Sequence, residues 1–239
     1  MSDQVFLTIF LPSLSFNSPP ELSFEDLRFF LNLNLSSKEQ KILSGFLTFY
    51  DLENVRAWLL QTPMTVRGSM SHELLKDRLI DGNTGIRVVD SFLKTYSTQE
   101  DRLLYLPTLS KLYIKAASQT GYSFLQKYFR LENRIRRILS TFRAETSVPP
   151  FQLTPEELSS SQYRDLYTIW KKRAHSFDIE REISQWKFLE IERLGEQALP
   201  FSFDRILSYL IRLLLVESRL GMKEHTHIKS LERLAKVVQ

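Results

Sequence analysis

Six large apolar residues, Phe124, Tyr128, Leu131, Ile135, Ile138 and Phe142, follow one another at intervals of four, three, four, three and four. An α-helix brings residues so spaced onto one side, because its 3.6-residue turn stacks them along a single stripe. The stripe contains Phe129-Arg130-Leu131-Glu132-Asn133, and that phrase has an echo in Tyr50-Asp51-Leu52-Glu53-Asn54. Both segments read aromatic, any residue, Leu-Glu-Asn, four variable residues, two aliphatics. Leu52, Val55 and Leu59 again share a helical face. Two readings follow. The chain stacks related helical units in which these are equivalent pieces, or it holds two unrelated amphipathic helices.

The rest of the sequence favours helix over sheet. Only 7 of 239 residues are glycine, and Asn-Gly or Asp-Gly turns are scarce, which provides poorly for hairpins. With 43% hydrophobic and 25% charged residues, the composition is that of a folded chain able to bury a core. The absence of cysteine excludes disulfides, thiol catalysis and thiolate metal sites. A net charge of +4 favours an acidic partner but does not imply nucleic acid. The start lacks a basic n-region, and the run from Val5 to Leu11 is too short for a signal peptide or a span, so a cytoplasmic protein is expected.

Helix punctuation can be read along most of the chain. Residues 5–20 hold Pro12, Pro19 and Pro20 and are expected to form a short irregular lead-in that tucks Phe6, Ile9, Phe10 and Leu14 onto a later helix. Ser23 before Glu25 and Asp26, and Ser36 before Glu39, read as helix caps. Thr62-Pro63 ends the helix that carries the first Leu-Glu-Asn. A short helix is expected over Ser71–Ile80; Gly85–Leu93 reads as strand or helix, with the surroundings favouring helix; another helix starts at Thr98, with Pro107 in a first turn. From Thr108 to Phe142 the pattern reads as helix, with a kink possible at Gly121. Ser147-Val148-Pro149-Pro150 reads as a linker dividing an N-terminal part, 1–146, from a C-terminal unit, 147–239. Thr154-Pro155-Glu156-Glu157 starts a helix. A long polar helix is expected over Gln162–Gln197. Ser202 is expected to cap the next, Phe203–Leu220, followed by a turn at Gly221 and a last helix from His225. From Ile206 to Val216 that penultimate helix is apolar on almost every face and broken by Arg212, which suits a helix enclosed by its own protein better than a membrane span.

Chemistry finds little footing. His72-Glu73-Leu74-Leu75-Lys76 lacks the second histidine of a zinc-protease helix, and His225-Thr226-His227 lacks further ligands. Asp51 and Glu53, two residues apart on a helix, point away from each other and cannot share a substrate. Surface ion pairing, or an inter-helix hydrogen bond to Glu53, is their default. No phosphate loop or nucleophile motif is present, so no catalytic residue, cofactor or metal is expected. Beside the apolar stripe, Lys127, Arg130, Arg134 and Arg137 form a basic one. It reads as a solvated helix face, as a docking surface for an acidic protein, or as a nucleic-acid footprint, the last without a supporting motif. Glu132 and Arg136 form an i,i+4 pair.

The phrase Tyr50-Asp51-Leu52-Glu53-Asn54-Val55 resembles the helix signature of the C/d subunit of V-type (V/A-type) ATPases and ATP synthases, known as C in bacteria and archaea and as d in eukaryotes. Leu131-Glu132-Asn133 fits the same scheme. Leu214-Leu215-Val216-Glu217-Ser218 fits it with Ser218 in place of Asn. Together with Leu11-Pro12-Ser13-Leu14 and the run Ile206–Leu213, the chain is similar also to a small uncharacterised bacterial family that takes the place of this socket protein beside the other V-type ATPase components. The resemblance implies an all-α bundle of stacked, repeat-like units and a non-catalytic role in the central stalk. Such a protein is a socket on the cytoplasmic, peripheral side of the membrane, joining the D/F shaft to the proteolipid ring. The basic stripe is then the partner-binding face, and Leu52, Glu53, Asn54, Leu131, Glu132 and Asn133 are the structural signature. The readings from other classes are a helical scaffold unconnected with the ATPase and a basic RNA-binding helical domain.

Overall fold

Side-chain oxygens set six of the helix starts. Ser23, Ser36 and Thr154 each accept from the backbone N–H three residues on, and Asp26, Glu39 and Glu157 reach back to close a capping box. Ser71, Thr98 and Ser160 make the simpler cap. The computed structural model describes residues 3–119, 121–144, 153–172 and 176–237, with the side chains of 3–6, 176–177 and 222–237 outside that description. Its helices are α1 (Asp3–Phe10), α2 (Phe24–Asn34), α3 (Ser37–Leu59), α4 (His72–Ile80), α5 (Arg87–Thr95), α6 (Gln99–Leu104), α7 (Leu106–Ala117), α8 (Ser123–Arg143), α9 (Pro155–Ser159), α10 (Ser161–Lys171), α11 (Ser176–Glu196) and α12 (Phe203–Val237). No strand occurs among the described residues, and the fold is an all-α bundle.

Spatial grouping gives two compact units, residues 1–35 with 138–239, and residues 36–137. The linker read at 147–150, and with it the boundary at 146/147, lies outside the described residues.

In the unit 36–137 the core is aromatic. The fully buried Phe46 meets Tyr50 and Tyr128 edge-on at 5.9 and 5.8 Å, and Phe49 lies against Tyr113 and Phe129 at 6.1 and 6.2 Å. Edge-to-face rings gain from quadrupole attraction as well as from burial. The stretch expected to be helical from Thr108 to Phe142 is two helices, interrupted between Ala117 and Ser123.

The other unit is built around the pairing of α11 with α12. Gly195 allows it, because a Cβ there would lie 2.5 Å from Ser208 Oγ. That hydroxyl donates to the carbonyl of Ile191 at 2.8 Å. Ile206, Leu207, Leu210, Leu213, Leu214 and Val216 are buried, as an enclosed helix requires. Arg212 is tolerated in the run because it pairs with Glu192 and lies over the Phe188 ring, 5.1 Å from its centroid.

Four expectations change here. The lead-in contains a helix, α1, which stops before Pro12. Leu7 and Phe16 are buried and Leu14 packs beside Phe16, while Ile9 and Phe10 are exposed. The side chain of Phe6 lies outside the description. The long polar helix is two, α10 and α11. Trp186 donates to Asp165 and Lys172 pairs with Glu182, the mirrored pairing of an antiparallel hairpin. Ser202 does not cap α12 with its side chain: its hydroxyl is buried without a hydrogen-bond partner among the described residues, and its carbonyl accepts from Arg205 and Ile206 instead. Finally, α12 runs through Gly221 without a turn, and the side chains of His225 and His227 lie outside the description.

Candidate functional site

Helix α8 presents two faces. Phe124, Tyr128, Leu131, Ile135, Ile138 and Phe142 are all buried, so the apolar stripe faces inward over its whole length. The neighbouring outer side is basic. Lys127, Arg130 and Arg134 are exposed and Arg137 is half-buried. Arg134 and Arg137 also take part in contacts within the chain. The helix carries six basic residues and a single acid, Glu132. That acid is turned inward and only 7% exposed, so it does not neutralise the outer face. Its carboxylate accepts from Arg136 Nε at 3.1 Å, and the Arg136 guanidinium also lies over the Phe49 ring. The four residues of the sequence stripe therefore stand along one helix, with their positive charge outward.

The two Leu-Glu-Asn segments part company in detail. Leu52 and Leu131 are both buried. In the first segment Asn54 is fully buried and Glu53 is at the surface, paired loosely with Arg56 at 3.9 Å. In the second, Glu132 is buried and Asn133 exposed. The expectation that they are equivalent pieces is corrected on this point. Asn54 is taken inward by a loop that has no counterpart at Asn133. Its amide donates to the carbonyl of Thr65 at 2.9 Å and accepts from the Thr65 N–H at 2.7 Å. His72 Nε2 reaches the same carbonyl at 2.8 Å.

Asp51, expected at the surface, is fully buried and holds the next part of that loop, accepting from Ser69 Oγ and from the Met70 N–H. Gly68 makes room for it, since a Cβ there would lie 2.1 Å from Asp51 Oδ1. The third echo differs again. Glu217 caps α2, accepting from the Phe24 N–H at 2.7 Å.

Two tyrosines feel these buried acids. Burial, and then the Asp51 charge, push the Tyr113 hydroxyl far above its ordinary 10.0. Burial, then Glu132, do the same for Tyr128. Among the described residues no group of His, Cys, Asp and Glu is placed to hold a metal. No helix there is long and apolar enough to cross a membrane.

Residues 1–149 match the family model described as protein of unknown function (DUF2764). A protein of Chlamydia muridarum named only as uncharacterized is 25% identical over 87% of this chain and 79% of its own length. One from Chlamydia trachomatis is 24% identical over 87% and 80%, and one from Chlamydia pneumoniae 25% over 77% and 71%. No solved structure matches. These matches overturn the identification with the C/d subunit of V-type ATPases: the family found is a different one, and none of these relatives bears an ATPase name. The unequal surroundings of the Leu-Glu-Asn copies explain how so short a phrase misleads.

Proposed function

We propose, starting from the fact that this chain belongs to the DUF2764 family, that it is a non-catalytic helical docking protein. It engages an acidic protein partner through the outer face of α8. The observation that supports this reading is the pairing of an exposed run, Lys127, Arg130 and Arg134, with a fully packed seam beside it on the same helix. A face so backed holds its charges in fixed register, which favours a structured partner of complementary charge and speeds encounter with it.

The assembly we put forward is the cytoplasmic rotor of a V-type ATPase, with the D/F shaft and the proteolipid ring as partners. It is put forward as a role, without membership of the C/d family.

The test is co-purification with membrane-extracted rotor proteins at low and high salt, for the native chain and for Arg130→Glu/Arg134→Glu. We expect retention of rotor proteins by the native chain, weakened by salt and reduced about tenfold or more by charge reversal. Absence of every rotor protein from the native complex retires the ATPase assembly. Retention unchanged by charge reversal retires the α8 face. Retention of RNA falling steeply with salt replaces both with nucleic-acid binding.

A further inference from the structure

Gly45 lies in the interior of α3, where glycine weakens a helix relative to alanine. No contact among the described residues asks for it. A Cβ built there meets no atom within 4 Å, and its backbone is ordinary helix. The vacant space belongs to a groove of about 710 Å³ in the unit 36–137, floored by Ile42, Tyr113, Leu125 and Phe129. Gly121 lines the same groove and is equally bare, with nothing within 4 Å of a built Cβ. The Tyr113 hydroxyl donates to the Gly45 carbonyl at 2.7 Å, so this polar group of the wall is already satisfied.

The lining along α3 runs from Lys38 to Thr48, a length of about 15 Å or nearly three helical turns. One end is positive. Lys38 and Lys41 are exposed in the first two turns of α3, where the helix dipole adds to their charge. Glu39, the acid between them, is turned back to Ser36 to close the capping box.

We propose that this groove docks an amphipathic α-helix of a protein partner, its apolar ridge seated over Gly45 and acidic residues at one end meeting Lys38 and Lys41. An open apolar trough nearly three turns long suits a helix laid along it. Bare Cα positions at Gly45 and Gly121 let a second backbone approach closely. The lysines set the sign of the partner's charge. The site is distinct from the outer face of α8 and is tested by a different measurement.

The probe is a pair of synthetic helical peptides with the same Leu/Ala ridge, one flanked by glutamates and one by lysines, titrated into the full chain by fluorescence anisotropy. The glutamate peptide should bind at least about tenfold more tightly than the lysine one. Gly45→Leu, which fills the trough, should weaken it by about tenfold or more with the melting temperature unchanged or raised. Gly45→Ala keeps the helix intact in any event and should give a smaller loss. Lys38→Glu/Lys41→Glu should reverse the preference between the two peptides. Failure of the glutamate peptide to bind, equal affinity for both peptides, or binding untouched by Gly45→Leu would each overturn the proposal. So would a native dimer that Gly45→Leu dissolves, because a second copy of the chain would then be the occupant.

Discussion

The segments 50–60 and 129–139 share a tripeptide and a helical face, yet they solve different problems. The first buries its asparagine and leaves its glutamate at the surface; the second does the reverse. The leucine is common because each helix buries an apolar residue at that position. The polar pair is decided by what lies alongside. Beside α3 a loop brings backbone groups that need partners, and an amide supplies one donor and one acceptor at once. Within α8 itself stands Arg136, one turn on, and a carboxylate serves it better. Identical letters therefore report helix and core contact, and their polar roles are set by neighbours distant in sequence.

The comparison breaks most visibly at the asparagines. Asn54→Ala should remove both bonds to Thr65 and leave its N–H unsatisfied in a part-buried site, at a cost of about 2–3 kcal/mol. Asn133→Ala, at an exposed position, should leave stability unchanged within error. Chemical denaturation of the two variants side by side decides the matter, and equal effects would restore the equivalence. Gly68→Ala attacks the same loop from its other side, forcing Asp51 from its place, and should cost at least as much as Asn54→Ala.

The glutamates invert the order at a smaller scale. Glu132→Ala removes the buried partner of Arg136. Because the arginine side chain is 39% exposed and recovers hydration, the cost should be about 1–2 kcal/mol. Glu132→Gln, which keeps an acceptor for Arg136, should cost less. Glu53→Ala breaks a long surface pair and should be nearly silent. A larger loss from Glu53 than from Glu132 would mean that the inward and outward roles have been exchanged.

Sequence reading reached the helices more surely than the site. Caps at Ser23, Ser36, Thr98 and Thr154 are local chemistry, decided within four residues, and all are made. The α8 seam was legible because a period is a property of one helix alone. The surroundings of a polar side chain are not. Asp51 reads as a surface acid until Ser69 and Met70 are folded back onto it. Arg219, on α12, reads in the sequence as a helix arginine like those of α8 but is only 5% exposed and lies over the Phe16 ring. Its Nε and one terminal nitrogen have no hydrogen-bond partner among the described residues. Nothing in the local sequence separates these cases. The division into α10 and α11 escapes the sequence for a related reason, since aromatic residues recur across both helices. Gly45 offered a signal that could have been taken up, a glycine in mid-helix with no turn to make, but its meaning depends on α7 and α8 lying beside it.

Alkaline pH sharpens the comparison with the smallest perturbation, because each segment has a tyrosine beside its buried acid. Tyr113 answers to Asp51 and Tyr128 to Glu132, in each case after burial itself. Both hydroxyls are held above their ordinary 10.0, so the folded chain keeps these protons when the unfolded chain begins to lose them. Stability should be flat with respect to these groups below about pH 10 and fall as pH rises beyond it. Tyr128→Phe should remove one share of that fall and cost little at pH 8. Tyr113→Phe should remove the other, but with a loss of about 1 kcal/mol at pH 8, since its hydroxyl is bonded to the Gly45 carbonyl. Denaturation series at pH 8 and pH 11 separate the two. A fall that survives both substitutions would assign the alkaline transition to other groups and leave the buried carboxylates without a titrating neighbour to report on them.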